Sequence, residues 1–324
     1  MSENIADDFL FGGMGADDQT LSVFDKKATQ QDGIYRPTLK DAKDKNTGYR
    51  ATLRFLPNLL ESGKIGPSAI EKHVHYVDMK NEPGIAGYYD CNKNHESDCP
   101  LCTEFWKLKN SKNAADNAKA EMLSRTTKYY SYVLVVEDEQ HPDLVGKILV
   151  YPYGFTIKEK INSERQGEVS GVPTNIFDLA KGKDFRLIIK EKGGFQNYEA
   201  SQFLDVSPIK IWNEKNEKFM KAPLTKSGAI GAEGDEKKTA TIHSKIKDML
   251  LSKTVNLTDH EAIKWDEQTK GKVDTILAVL SGNVDYKANQ QAKNTSTDAT
   301  TSTSTEDFDT EPTEADDFFD LEDE

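Results

Sequence analysis

The stretch YYSYVLVVED, residues 129–138, decides how this chain is read. Ten residues, mostly aromatic and β-branched, with no Gly or Pro among them, spell a strand. Working outward, ATLRFLP (51–57), IEKHVHYVDM (70–79), KILVYPYGF (147–155) and DFRLIIKE (184–191) share that character, and several alternate with period two. Turn residues such as Asn81, Pro83, Gly84 and Gly146 bound them. About five strands with long, uneven insertions predict a mainly β fold with helices, of the α+β class. They suit an OB-like Greek-key barrel core, and a two-sheet sandwich fits the same pattern. Residues 104–123 are polar and Ala-rich and read as a surface helix. After Phe203 the pattern turns helical, notably in HSKIKDMLLSK (243–253) and HEAIKWDEQTKGKVDTILAVLSG (260–282), where apolar residues recur three and four apart.

Charge divides the chain further. The net charge is -13 over 324 residues, but from residue 288 onward twelve acids face one base, Lys293. Residues 1–24 carry five acids (Glu3, Asp7, Asp8, Asp17, Asp18) and no base, which leaves residues 25–287 at +3. A mildly basic body between acidic ends permits a polyanion ligand, with the ends competing for it or recruiting partners. The segment KNTSTDATTSTSTEDFDTEPTEADD has too little apolar surface to offset its ordering entropy and reads as a disordered acidic tail, 288–324. Phe318, Phe319 and Leu321 close that tail as a partner-recognition hook. The N-terminal arm, ADDFLFGGMGADD, has the same chemistry. The mean hydropathy of -0.69 and the lack of any apolar run near the ~20 residues of a membrane helix predict no membrane association. The opening MSENIADDFLFGG has neither a basic n-region nor a long apolar h-region, so a soluble intracellular protein is expected.

Three cysteines, Cys91, Cys99 and Cys102, fall within twelve residues. An odd number in an intracellular chain points to a thiolate metal site rather than a disulfide framework. Cys99-Pro-Leu-Cys102 is a C-x₂-C knuckle that brings two sulfurs to one ion. A tetrahedral zinc site needs one more ligand, and His73, His75 and His95 are all near. Three thiolates and one imidazole would close the coordination shell, making the Zn2+ structural, one per chain.

A second cluster sets Arg125 and Lys128 beside Tyr129, Tyr130 and Tyr132, with Tyr151, Tyr153, Phe195 and Tyr198 further on. Cations that track phosphates and rings that stack on unpaired bases are what a single-strand groove requires, at ~1–3 kcal/mol per stacked base. Core filling is the competing use for about half of these rings. No GxxxxGK[ST], strand-following GxGxxG, HExxH or GxSxG is present, so no catalytic activity is expected.

Together these pieces resemble the single-stranded DNA-binding (helix-destabilising) proteins of T-even-type tailed bacteriophages. The resemblance is carried by Arg54-Phe55-Leu56-Pro57, by His75, Cys91 and Cys99-Pro-Leu-Cys102, and by Tyr129-Tyr130 leading into residues 133–138. It continues through Gly146-Lys147, Tyr151-x-Tyr153-Gly154 and Gly194-Phe195-x-Asn197-Tyr198-x-x-Ser201-x-Phe203, in the family's order from about residue 35 to 282. It implies an OB-fold core (25–287) with an inserted zinc subdomain at about 58–128 and a helical part at about 206–285. It also implies cooperative binding to single-stranded DNA in replication, recombination and repair, partners held through the acidic tail, self-association along the strand, and a place in the cytoplasm of the infected bacterial host. By the same resemblance His75 takes the fourth zinc position, ahead of His73 and His95. Arg125, Tyr129, Tyr130, Tyr151, Tyr153, Phe195 and Tyr198 match the DNA-groove residues. The chain departs from the family where the basic cluster before the Tyr pair thins to Ser124-Arg125-Thr126, with Lys128 displaced. An acidic arm also stands where the family has a basic one, of which only Lys26-Lys27-Ala28-Thr29 is left. A zinc-ribbon scaffold that binds replication or transcription proteins without touching DNA is the alternative function.

Overall fold

The computed structural model describes residues 33–282, apart from 45–46, 78, 80–83 and 214–215. The acidic arm, the tail and its hook residues Phe318, Phe319 and Leu321 lie outside the described residues. The chain is mixed α+β, with a curled antiparallel half-barrel sheet and, among the described residues, five helices. It divides into two compact units, one of residues 33–71 and 128–261, the other of 72–127 and 262–282.

The first unit is organised by β6 (Arg125–Asp138), which pairs antiparallel with β1 (Tyr49–Phe55) and with β7 (Ile148–Tyr153). β8 (Lys183–Lys192) lies on the other side of β1, then β10 (Gln202–Val206), and β9 (Phe195–Asn197) folds back on the end of β8. The apolar run of the opening stretch now has its reason. Along β6, Tyr132, Leu134 and Val136 enter one core, while Tyr129, Val133 and Val135 enter another on the opposite face. A strand covered on both faces has no polar register, so period-two alternation disappears where burial is deepest. β1 is covered likewise, and its inward Arg54 is only 1% exposed. That guanidinium is held by the Asp178 carbonyl at 2.7 Å, the Ser207 carbonyl at 3.0 Å and the Asp184 carboxylate at 3.4 Å. At the far end of β6, Asp138 accepts the Tyr35 and Tyr49 hydroxyls at 2.6 and 2.5 Å.

Past β10 the structure departs from the expected helix. Residues 210–221 form a separate hairpin, β11 (Lys210–Asn213) with β12 (Lys218–Lys221), where Trp212 pairs with Phe219. Helix α4 (Glu236–Leu251) begins at Asp235, whose carboxylate caps the Lys238 amide at 2.9 Å. It packs Ile246 and Leu250 into the first core.

In the second unit the hairpin of β4 (Ile70–Val77) and β5 (Gly87–Asp90) packs with helices α1 (Pro100–Asn110), α2 (Ala114–Glu121) and α5 (Glu267–Leu280) around Leu101, Leu108, Leu123, Val273 and Ile276. The single helix expected over 104–123 is two. Lys112 adopts a left-handed φ of 57°, and the Asn113 side chain then caps a new helix through the Ala115 amide at 2.9 Å. The last helix starts seven residues later than expected, after Asp266, which caps Thr269. This unit begins at residue 72 and takes in α5.

Candidate metal centre and nucleic-acid interface

His75 projects from β4, Cys91 follows β5 directly, Cys99 caps α1 and Cys102 sits in its first turn. Pro100 at the first helical position fits a site where no amide donor is needed. The three-residue step on a helix turns both knuckle sulfurs to one side. The Cys91 amide donates to the His73 carbonyl at 2.9 Å, and the Asn94 side-chain amide bridges the His73 and Cys91 carbonyls, each at 2.8 Å.

All four donors are buried, and their ligand atoms lie within 4.8 Å of one another. Cys91 Sγ is 3.5 Å from Cys102 Sγ, and His75 Nε2 is 3.4 Å from the sulfurs of both Cys99 and Cys102. A tetrahedral zinc with Zn–S ≈ 2.3 Å and Zn–N ≈ 2.05 Å requires edges of about 3.8 Å between sulfurs and about 3.6 Å from sulfur to nitrogen. The residues therefore fit a metal ion. His75 Nδ1 lies 2.8 Å from the Leu123 carbonyl, which can only accept. Nδ1 thus carries a proton and Nε2 is the nitrogen left to a metal, the usual second-shell arrangement of a ligating imidazole. Burial opposes charging of the His75 ring. Hydrogen bonds to the Cys91 and Cys99 sulfurs and to Leu123 outweigh it, and the ring is pushed up to about 9. The Cys99 thiol is held well below its ordinary value by its bonds with Cys102 and Cys91, and the Cys102 thiol is pushed up by its bonds with Cys91 and Cys99, so the first thiolate of the cluster falls on Cys99.

The other two histidines lie elsewhere. His73 Nδ1 contacts the Thr127 hydroxyl at 2.9 Å, and burial, with Arg125 next, lowers the ring to about 4. His95 is outside the four-donor group.

The aromatic and basic residues fall into two sets. Tyr151 and Tyr153 go into the second core of the first unit, at 2% and 5% exposure, with Tyr151 6.4 Å from Phe55 and Tyr153 stacked on Tyr129 at 5.7 Å. The sequence reading set these two rings in a groove, and in the fold both are buried on one face of β7. Tyr129, on the same face of β6, is buried too. Arg125 is exposed, while Lys128 and Tyr130 are half-buried. One face of Tyr130 is already stacked on His260, at 4.9 Å with planes 8° apart. Phe195 is 40% exposed beside a two-residue turn, in which Gly193 and Gly194 take φ of 64° and 90°. Both values favour glycine in such tight hairpins. Tyr198 is half-buried below it. The rest of that motif is structural. Ser201 Oγ accepts the Ile188 amide at 2.9 Å and donates to the Ile188 carbonyl at 3.1 Å, and Phe203 packs on Phe185 at 4.8 Å.

Sequence reasoning passed over Tyr76 and Tyr88, cross-strand partners on β4 and β5 with ring centroids 4.9 Å apart, of which Tyr88 is 58% exposed. Tyr residues near the ends of two short adjoining strands were the available signal.

A family model described as gp32 DNA binding protein like matches residues 47–250. That span holds the four candidate metal donors together with Arg125, Lys128, Tyr129, Tyr130, Phe195 and Tyr198, and the chain belongs to this family. The single-stranded DNA-binding proteins of Enterobacteria phage T4 and Enterobacteria phage T2 are each 32% identical to it over 176 residues, 53% of this chain. The match covers 55% of each relative, so the chain spans about half the length of the curated relatives it matches. No described helix is long and apolar enough to cross a membrane.

Proposed function

We propose that this chain is a non-enzymatic protein that binds single-stranded DNA without regard to sequence, coating and protecting it in phage DNA replication, recombination and repair. Family membership carries this reading, because the matched span contains both the thiolate–imidazole cluster and the exposed base-and-ring residues. Arg125 and Lys128 would meet phosphates, and Phe195, Tyr198 and Tyr130 would stack on bases. Paired bases cannot offer those faces, so duplex melting follows by mass action on the open strand.

In this reading the sheet around β6 and β1 is an OB-like Greek-key barrel, which its antiparallel order β10–β8–β1–β6 supports. His75, Cys91, Cys99 and Cys102 would hold one Zn2+. With four protein ligands it has no open position, and it supplies cross-linking of the second unit rather than chemistry. The acidic tail would engage replication and recombination proteins, copies would associate along the strand, and the protein would work in the cytoplasm of the infected host.

Quenching of intrinsic fluorescence by oligo(dT), titrated over a range of salt, tests the proposal. Saturable quenching with a negative salt slope is expected. Absence of quenching at low salt would leave the protein-binding scaffold as the function.

A further inference from the structure

Of the six histidines, two are buried: His75, in the four-donor group, and His260, 2% exposed and ten positions beyond the matched span. Burying an imidazole takes a polar ring out of water, a cost that leucine at the same place would not carry. The neighbours of His260 show what the ring does there.

Tyr130 and Tyr132, two apart on β6, share one face of that strand. The Tyr132 hydroxyl donates to the Val255 carbonyl at 2.9 Å and accepts the Leu257 amide at 2.7 Å. Lys253 Nζ stands over the same ring, 4.7 Å from its centroid. These contacts lay residues 253–260 along the Tyr130–Tyr132 face. The 3₁₀ turn Leu257–His260 buries Leu257 in the first core and ends on His260. There the imidazole lies flat on Tyr130, centroids 4.9 Å apart and planes 8° from parallel.

Filling space does not account for the choice. Leucine would occupy a similar volume but offers no plane, whereas two flat rings in contact fix each other's tilt. The last torsion of a tyrosine is otherwise broad and two-fold. A ring that must settle at the moment of binding weakens affinity by about two- to tenfold. We propose that His260 is a positioning residue for Tyr130: it sets the plane of that ring in advance, so that a DNA base arrives on a surface already oriented. At 2% exposure the imidazole itself reaches neither base nor phosphate, and it acts through the tyrosine. The inference rests on Tyr130 being a base-stacking ring, as proposed for the single-strand interface.

Fluorescence titration of full-length variants with oligo(dT) tests it, with circular dichroism to show that each is folded. His260→Leu should bind about two- to tenfold more weakly with an unchanged salt slope. His260→Phe, which restores a flat ring, should bind like the parent. In a Tyr130→Ala background His260→Leu should cost nothing further, because the ring it positions is gone. A measurement on the unsubstituted protein stands beside these: the His260 Cε1–H resonance, assigned by its loss in His260→Phe, should move as oligo(dT) saturates the protein. Four results would overturn the assignment while leaving the DNA reading in place. They are parental binding by His260→Leu when Tyr130→Ala loses affinity, an equal loss from His260→Leu in both backgrounds, no rescue by phenylalanine, and a stationary His260 resonance at saturation. Parental binding by Tyr130→Ala would instead withdraw Tyr130 from the interface, and His260 with it.

Discussion

Replacing Phe195 and Tyr151 separately by alanine distinguishes a ring that meets DNA from a ring that fills the core. Tyr151 is 2% exposed and lies among Tyr35, Phe55 and Tyr153, with centroids 5.8–6.4 Å away. Truncating such a ring costs about 3–5 kcal/mol. In a protein of this size that lowers the melting temperature by roughly 6–20 °C, at about 2–4 °C per kcal/mol. Phe195 is already 40% exposed, so only some three-fifths of its transfer energy is at stake. That amounts to about 1–2 kcal/mol of stability. Its effect on oligo(dT) affinity should be as large or larger, about 1–3 kcal/mol, or roughly five- to 150-fold. Thermal unfolding and fluorescence titration on the same preparations read both quantities. The reasoning fails if Phe195→Ala binds oligo(dT) like the parent while Tyr151→Ala, still folded at the assay temperature, loses affinity.

Further outcomes can be checked directly. Elemental analysis of protein purified without chelator should find one zinc per chain, and His75→Ala should lose far more of it than His95→Ala; the reverse order would transfer the ligand role to His95. Arg125→Ala should weaken oligo(dT) binding and reduce the salt slope by about 0.7, one phosphate contact on a single strand, and an unchanged slope would remove Arg125 from the interface. Lys253, whose Nζ contacts Asn58 Oδ1 and the Leu59 carbonyl, is lowered by burial to about 8. Between that value and the ordinary lysine value the unfolded chain holds a proton that the native chain has released, so stability should rise with pH across that window. Urea unfolding of Lys253→Met should lack that rise, and an identical rise in both proteins would assign it to another group.

Much of the framework was legible because strands and knuckles are local patterns. The stretches read at 51–57, 70–79, 129–138, 147–155 and 184–191 became β1, β4, β6, β7 and β8, and the cysteine spacing pointed to three residues that the fold gathers with His75 into a group able to hold a metal. The fate of the tyrosines was not legible. Alternation tells which residues share a face, but β6 and β7 bury both faces, so Tyr151 and Tyr153 carry the same local signature as a groove tyrosine. The β11–β12 hairpin escaped for a different reason. Its strands are four residues long and lysine-rich, and what holds Trp212 in place is Gly146, more than sixty positions away. The break at Lys112–Asn113 rests on one left-handed residue and one side-chain cap, too small a signal within a polar helical run.

The chain enters its second unit inside β4, between Glu71 and Lys72, leaves it inside β6, between Thr127 and Lys128, and returns to it between Glu261 and Ala262. The first two crossings lie within strands, and only the third lies between elements. Proteolytic nicks and tolerated insertions concentrate where backbone is exposed and unpaired, such as the Gly193-Gly194 tip, and ladder-bonded strands resist both. The segment 72–127, which carries the four candidate metal donors, therefore has no exposed loop at either end through which it could be exchanged as a cassette. A foreign version would have to arrive with both flanking strands in register, which ties the history of the cysteine knuckle to that of the sheet.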